Sequence, residues 1–154
     1  EQRRLSGAEL ARNSHLWPVL IRQGALGKGM PEQDLLVSPN HRLLIVSDQS
    51  ALYFEEREVL VAAKHLTSRP GIDVVQASDL TYVHLMFDQH EVILSGGAWS
   101  ESFQPGDNSL AGVAQDQRNE IFELFPELAT QEGVMAYGAA RRSLRKHEAH
   151  LLSP

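Results

Sequence analysis

Ser38-Pro39-Asn40-His41 is a short polar turn between two apolar runs, 35–37 and 43–46, and it carries a hydroxyl and an imidazole three residues apart. An imidazole titrates near neutrality and can give or take a proton in a transition state, while a hydroxyl or backbone N–H beside it can stabilise a developing oxyanion. Pro39 fixes one backbone dihedral and stiffens the turn that presents the pair. Taken alone, the same four residues read first as a β-turn in which Ser38 bonds to nearby backbone and His41 is simply exposed. Seven histidines also invite a metal site, with His84, His90 and His65 as the ligands that would converge. No HExxH and no close ligand pair supports it, so neither a metal nor any other cofactor is assigned. The chain has no cysteine, which excludes disulfides, thiolate ligands and a thiol nucleophile within these residues.

The elements that must hold such a site read as mostly β up to about Gly106. Short apolar runs at 19–21, 35–37, 43–46, 59–61, 74–75, 80–87 and 92–94 are strand-like in length, rich in β-branched residues and punctuated by Gly, Pro, Asn and Asp. In the run from Thr81 to Phe87 the period of two puts Val83, Leu85 and Phe87 on one face and Tyr82, His84 and Met86 on the other. Asp88-Gln89 is expected to return this strand as a hairpin onto Val92-Ile93-Leu94, with Asp88 a turn residue. After Pro105-Gly106-Asp107 the pattern becomes helical. One helix is expected over 115–125, stopped by Pro126, and a second over 136–151 with Arg141, Arg142, Arg145 and Lys146 on a solvated face.

The flanking residues give the histidine turn a specific resemblance. Pro18-Val19-Leu20-Ile21-Arg22-Gln23-Gly24-Ala25-Leu26-Gly27, then Leu36-Val37-Ser38-Pro39-Asn40-His41-Arg42-Leu43, then 82–92 and Gly96-Gly97-Ala98-Trp99-Ser100-Glu101-Ser102, occur in the order and spacing of bacterial Hint domains. The chain resembles the Hint superfamily, the self-processing domains of hedgehog proteins and inteins. The resemblance implies a Hint β-fold with a C-terminal helical extension, divided as 1–106 and 107–154. It implies an autoproteolytic activity by N–S or N–O acyl shift at the upstream boundary, the flanking polypeptide being the substrate. Ser38 and His41 fall on the family's hydroxyl and histidine, His90 on the histidine of the later block, and His84 near a position where many inteins carry an acid.

Two departures from the family pattern narrow the activity. Splicing inteins end on a His-Asn pair whose Asn cyclises, whereas this chain has Glu101-Ser102, neither of which forms a succinimide. Amino-terminal cleavage is what remains. The family's Cys precedes the equivalent of Pro18 by a few dozen residues. Ser6 and Ser14 are poor substitutes, lying in polar or helical sequence rather than at a strand end beside His41. With no initiator Met, the chain is expected to be a piece of a longer polypeptide that carries the nucleophile. The alternative is an inactive remnant that serves as a structural or protein-binding module, docking neighbouring domains of a large secreted or cell-surface bacterial protein. Trp99 and Phe103 are expected to pack in the core or at a sheet edge.

The composition fits either reading. At 154 residues and a net charge of −6, the chain makes one domain with an appendage and lacks the basic face that a nucleic-acid partner needs. No apolar run reaches a membrane span, and residues 1–6 lack the apolar core of a signal peptide.

Overall fold

The computed structural model describes residues 2–85, 87, 91–102, 113–126 and 142–152. Among them, ten strands form three sheets, accompanied by four helices, so the fold is mostly β with some helix. The strands are β1 (Gln2–Ser6), β2 (Val19–Ile21), β3 (Leu35–Val37), β4 (Arg42–Val46), β5 (Glu58–Ala62), β6 (Ile72–Val74), β7 (Asp79–Val83), β8 (Val92–Ser95), β9 (Ala98–Glu101) and β10 (Arg142–Leu144). The helices are α1 (Gly7–Arg12), α2 (Asp48–Phe54), α3 (Val113–Leu124) and α4 (Lys146–His150).

The largest sheet has the order β10-β5-β4-β9-β8; a second has the order β3-β2-β6, and β1 pairs with β7. Buried residues from these strands, such as Val19, Ile21, Leu43, Val59, Val61 and Leu144, build one core. A second core gathers Leu5, Leu10, Leu16, Tyr82, Ile121, Leu124 and Phe125 between β1, β7 and α3. Ser6 starts α1 with a capping box: its side chain accepts from Glu9 N, and the Glu9 carboxylate accepts from Ser6 N at 2.9 Å. Ser6 is thus a helix cap, and Ser14 opens a single 3-10 turn.

The structure corrects two expected elements. Strand β7 does not fold back on β8; its antiparallel partner is β1, from Gln2↔Val83 to Ser6↔Asp79. Strand β8 instead pairs with β9 across Gly96-Gly97, whose φ values of 58° and 75° suit a two-residue hairpin turn. That turn lies against the 31–35 loop, where a Cβ on Gly97 would fall 2.6 Å from Glu32 N. Asp88, Gln89 and Met86 lie outside the described residues. The expected helix over 136–151 is also not continuous: residues 142–144 form β10, parallel to β5 with Leu144 opposite Val61, and among the described residues of that range Lys146–His150 alone is helical, 136–141 lying outside them. The open edge of β5 accepts the chain there, and Leu144 is fully buried against it. The helix that Pro126 was expected to stop is present as α3, and Ile121 and Leu124 are buried on it as the spacing requires.

Candidate active site

The histidine turn joins two sheets, because Ser38 follows β3 and His41 precedes β4. His41 N donates to Ser38 O at 3.1 Å, which closes the four residues into the β-turn that their types suggest. Ala63 N donates to His41 O and Lys64 N to Pro39 O, both at 2.9 Å, so the turn is also tied to the segment after β5. The next residue, Arg42, is buried at 2 % exposure and faces Glu101, itself at 1 %. Glu101 Oε1 accepts from Arg42 Nε at 2.7 Å and from Arg42 N at 3.1 Å, and Arg42 also donates to Ser143 Oγ. Glu101 therefore anchors the backbone beside His41. Ser102 closes the β8–β9 end, where its Oγ accepts from Glu91 N at 2.9 Å and its N donates to Glu91 O at 2.8 Å. Glu101 and Ser102 thus hold the framework around the turn.

His84 reaches the same place from β7. Tyr82 and His84 turn inward while Val83, Leu85 and Phe87 are about half exposed, so the expected alternation holds with the apolar face outward. The His84 and His41 rings lie 6.2 Å apart, centroid to centroid, at 67°. Phe125 meets His84 edge-on at 5.3 Å. Burial pushes the His84 pKa down to about 3, with the neighbouring His41 adding to the effect. His41 is lowered too, first by burial and then by Arg42, against an upward pull from Glu101. Both imidazoles are therefore neutral at pH 7. Each then has one nitrogen that donates and one that accepts, as general acid–base work requires.

Ser38 is 2 % exposed, and its Oγ has no partner within hydrogen-bond geometry. A carboxylate that the sequence did not point to stands beside it. Glu120 on α3 is 4 % exposed, and its Oε2 accepts from Asn40 Nδ2 at 2.8 Å and from Asn40 N at 3.1 Å. Burial raises the Glu120 pKa, and the Ser38 and Asn40 groups pull it back down. Ser38 is near enough to influence the carboxylate, yet neither Ser38 Oγ nor Glu120 Oε1 meets the stricter bond geometry. A cavity of about 290 Å³ opens over this group, lined by Ser38, His41, His84 and Glu101 with apolar side chains such as Leu43 and Ile93.

Of the residues expected at the site, Ser38, His41 and His84 come together, and His90 lies outside the described residues. Among the described residues no three His, Cys, Asp or Glu side chains converge to hold a metal ion. Trp99 is 42 % exposed on β9, opposite Leu94, and so does not serve as core; Phe103 is outside the described residues.

The family model for the Hint domain matches residues 1–107, which takes in the histidine turn, His84 and the β8–β9 hairpin. The chain belongs to the Hint-domain family. No curated protein and no solved structure matches it. The Hint-domain match ends before α3, so Glu120 and Phe125 reach the site from outside the matched residues. Arg42 and Glu101 were not read as a pair in the sequence: Arg42 was simply the neighbour of His41, and Glu101 was noted only as a residue that forms no succinimide. Glu120 carried no signal.

Proposed function

We propose that this Hint domain cleaves a peptide bond in the polypeptide upstream of it, by an acyl shift at the histidine pair. The observation that carries the reading is the register of β1 on β7. Gln2 pairs with Val83, so polypeptide leading into β1 arrives at the His84 end of β7 and at the cavity that His41 lines. A hydroxyl or thiol in that polypeptide attacks the carbonyl carbon of the residue before it, forming the C–O or C–S bond. The C–N bond then breaks, and the proton from the nucleophile passes to the leaving amine by way of neutral His41. Ser38 donates its hydroxyl hydrogen to the tetrahedral oxygen, and the neutral His84 ring, packed against His41 at 6.2 Å between centroids, holds the His41 ring in place. Water or another nucleophile then opens the ester or thioester, which regenerates the attacking group. Glu101-Ser102, committed to the framework, leaves downstream release without an agent.

The test is intact-mass analysis of the chain expressed with its upstream polypeptide, beside His41→Ala. A break upstream of Gln2 in wild type only, faster with added thiol, is the expected outcome. An intact product in both rejects self-cleavage. It favours a second reading, a docking module within a secreted or cell-surface bacterial protein. That reading has its own support in Leu36, Val83 and Leu85, large apolar side chains that line the mouth of one cavity while about half exposed.

A further inference from the structure

We propose that Glu120, on a helix beyond the Hint-matched residues, is a positioning residue that sets the histidine turn through Asn40. Its catalytic meaning rests on the self-cleavage reading; its geometry does not. A carboxylate at 4 % exposure is costly unless bonded, and here one oxygen, Oε2, takes both the backbone N–H and the side-chain Nδ2–H of Asn40. Those two bonds fix the peptide and side chain of the residue immediately before His41, and so the direction in which the His41 ring leaves the turn. Ser38, the first residue of the turn, is also among the groups that stabilise the carboxylate.

The rest of α3 shows that the contact is not incidental. Asp116, Glu120 and Glu123 fall at i, i+4 and i+7, on one face of the helix. Each meets a different part of the Hint-matched residues: Lys64 Nζ lies 2.9 Å from Asp116, Asn40 bonds Glu120, and His15 Nε2 lies 3.0 Å from Glu123. Behind this face Ile121, Leu124 and Phe125 enter the second core, and Phe125 continues onto the His84 ring. The α3 segment therefore reaches both histidines, His41 through Asn40 and His84 through Phe125, the residue after the helix.

The test is a pH titration of the His41 and His84 ring protons by NMR in the 154-residue chain, assigned with His41→Ala and His84→Ala. The charged and titratable groups that face His41 are Glu101, Arg42 and His84, and all three are unchanged in the Glu120, Asn40 and Glu123 variants whose midpoints are compared. Glu120→Gln keeps an oxygen for Asn40 and is expected to leave the His41 midpoint where it is. Glu120→Ala and Asn40→Ala are expected to loosen the turn, admit water and move the midpoint up toward about 6.5. Glu123→Ala removes another anchor of α3, its contact with His15, which is not bonded to the turn, and should move nothing. The proposal is overturned if the Ala variants stay folded with an unchanged midpoint. It is overturned equally if Gln shifts it as far as Ala, or if Glu123→Ala matches Glu120→Ala. Should Glu120→Ala fail to fold, Asn40→Ala decides alone, since it keeps the helix and loses one bond. None of these readouts needs cleavage, so the positioning role and the self-cleavage reading can fail separately. In the longer polypeptide, the same Ala variants are expected to slow cleavage while Gln restores it.

Discussion

At the scale of single residues, the site is held by charge taken out of water. Arg42 and Glu101 form a buried pair at 2.7 Å, and such a pair gives little net stability over apolar residues of the same size while breaking it is expensive. Glu101→Ala is therefore expected to cost about 3–5 kcal/mol in urea unfolding, because the Arg42 charge stays behind in the core. A loss below about 1 kcal/mol would mean that water reaches the guanidinium, and that the backbone beside His41 is not held as described. This is also the scale at which the sequence was most and least informative. Ser38 and His41 are three apart and could be read as a unit. Arg42 and Glu101 are 59 residues apart, and Asn40 and Glu120 are 80 apart, so only the fold brings them together. A buried carboxylate on a helix carries no mark in its own sequence, since Glu at such a spacing is usually solvated.

At the scale of elements, local chemistry and edge pairing compete. The apolar runs that became β2 to β5 and β8 were legible because their β-branched residues fit a pleated, half-buried surface. The pairing of β7 with β8 was misread because polar Asp88-Gln89 between two apolar runs offered a return, whereas the partner of β7 comes from the far end of the sequence as β1. The residues able to reverse a chain in two steps were Gly96-Gly97, with φ near +60° to +75°. Residues 142–144 were misread because Arg and Leu favour helix, whereas the free edge of β5 offered backbone bonds and a buried slot for Leu144. The glycine argument makes a paired prediction. Gly24 has φ +76° with nothing within 4 Å of a built Cβ, so Gly24→Ala should cost about 1 kcal/mol, the left-handed penalty alone. Gly97 has nearly the same φ, but its Cβ would collide with Glu32, so Gly97→Ala should cost at least about 2–3 kcal/mol and disturb the hairpin that carries Glu101. Equal melting points for the two variants would show that the 31–35 loop yields without resistance.

At the scale of the whole molecule, the histidine pair lies where two cores meet: Leu43 next to Arg42 belongs to the sheet core, and Phe125 against His84 belongs to the helical one. Charging His84 puts a cation at that boundary, and this fixes the direction of the pH dependence. The folded-state pKa of His84, about 3, lies below the ordinary 6.5, so the unfolded chain binds the proton more readily. The stability due to the neutral ring is complete above about pH 6.5 and is lost as the pH falls toward 3. Between pH 7 and pH 5 this one group accounts for about 2 kcal/mol, as an upper bound. His41 and His65 are lowered as well, His65 to about 4 chiefly by burial, and add in the same sense. Glu120 works against them: its carboxyl is raised by burial, so the folded state gains from protonating it as the pH drops through its raised value. Urea unfolding at pH 7 and pH 5 separates these contributions. Wild type should lose stability over that interval, His84→Gln should lose distinctly less, and Glu120→Gln should lose more, having given up the opposing proton. A His84→Gln chain with the same pH slope as wild type would mean that the His84 ring takes its proton from water as freely folded as unfolded. The boundary between the two cores would then be open to solvent, and a neutral imidazole there would have no structural cause.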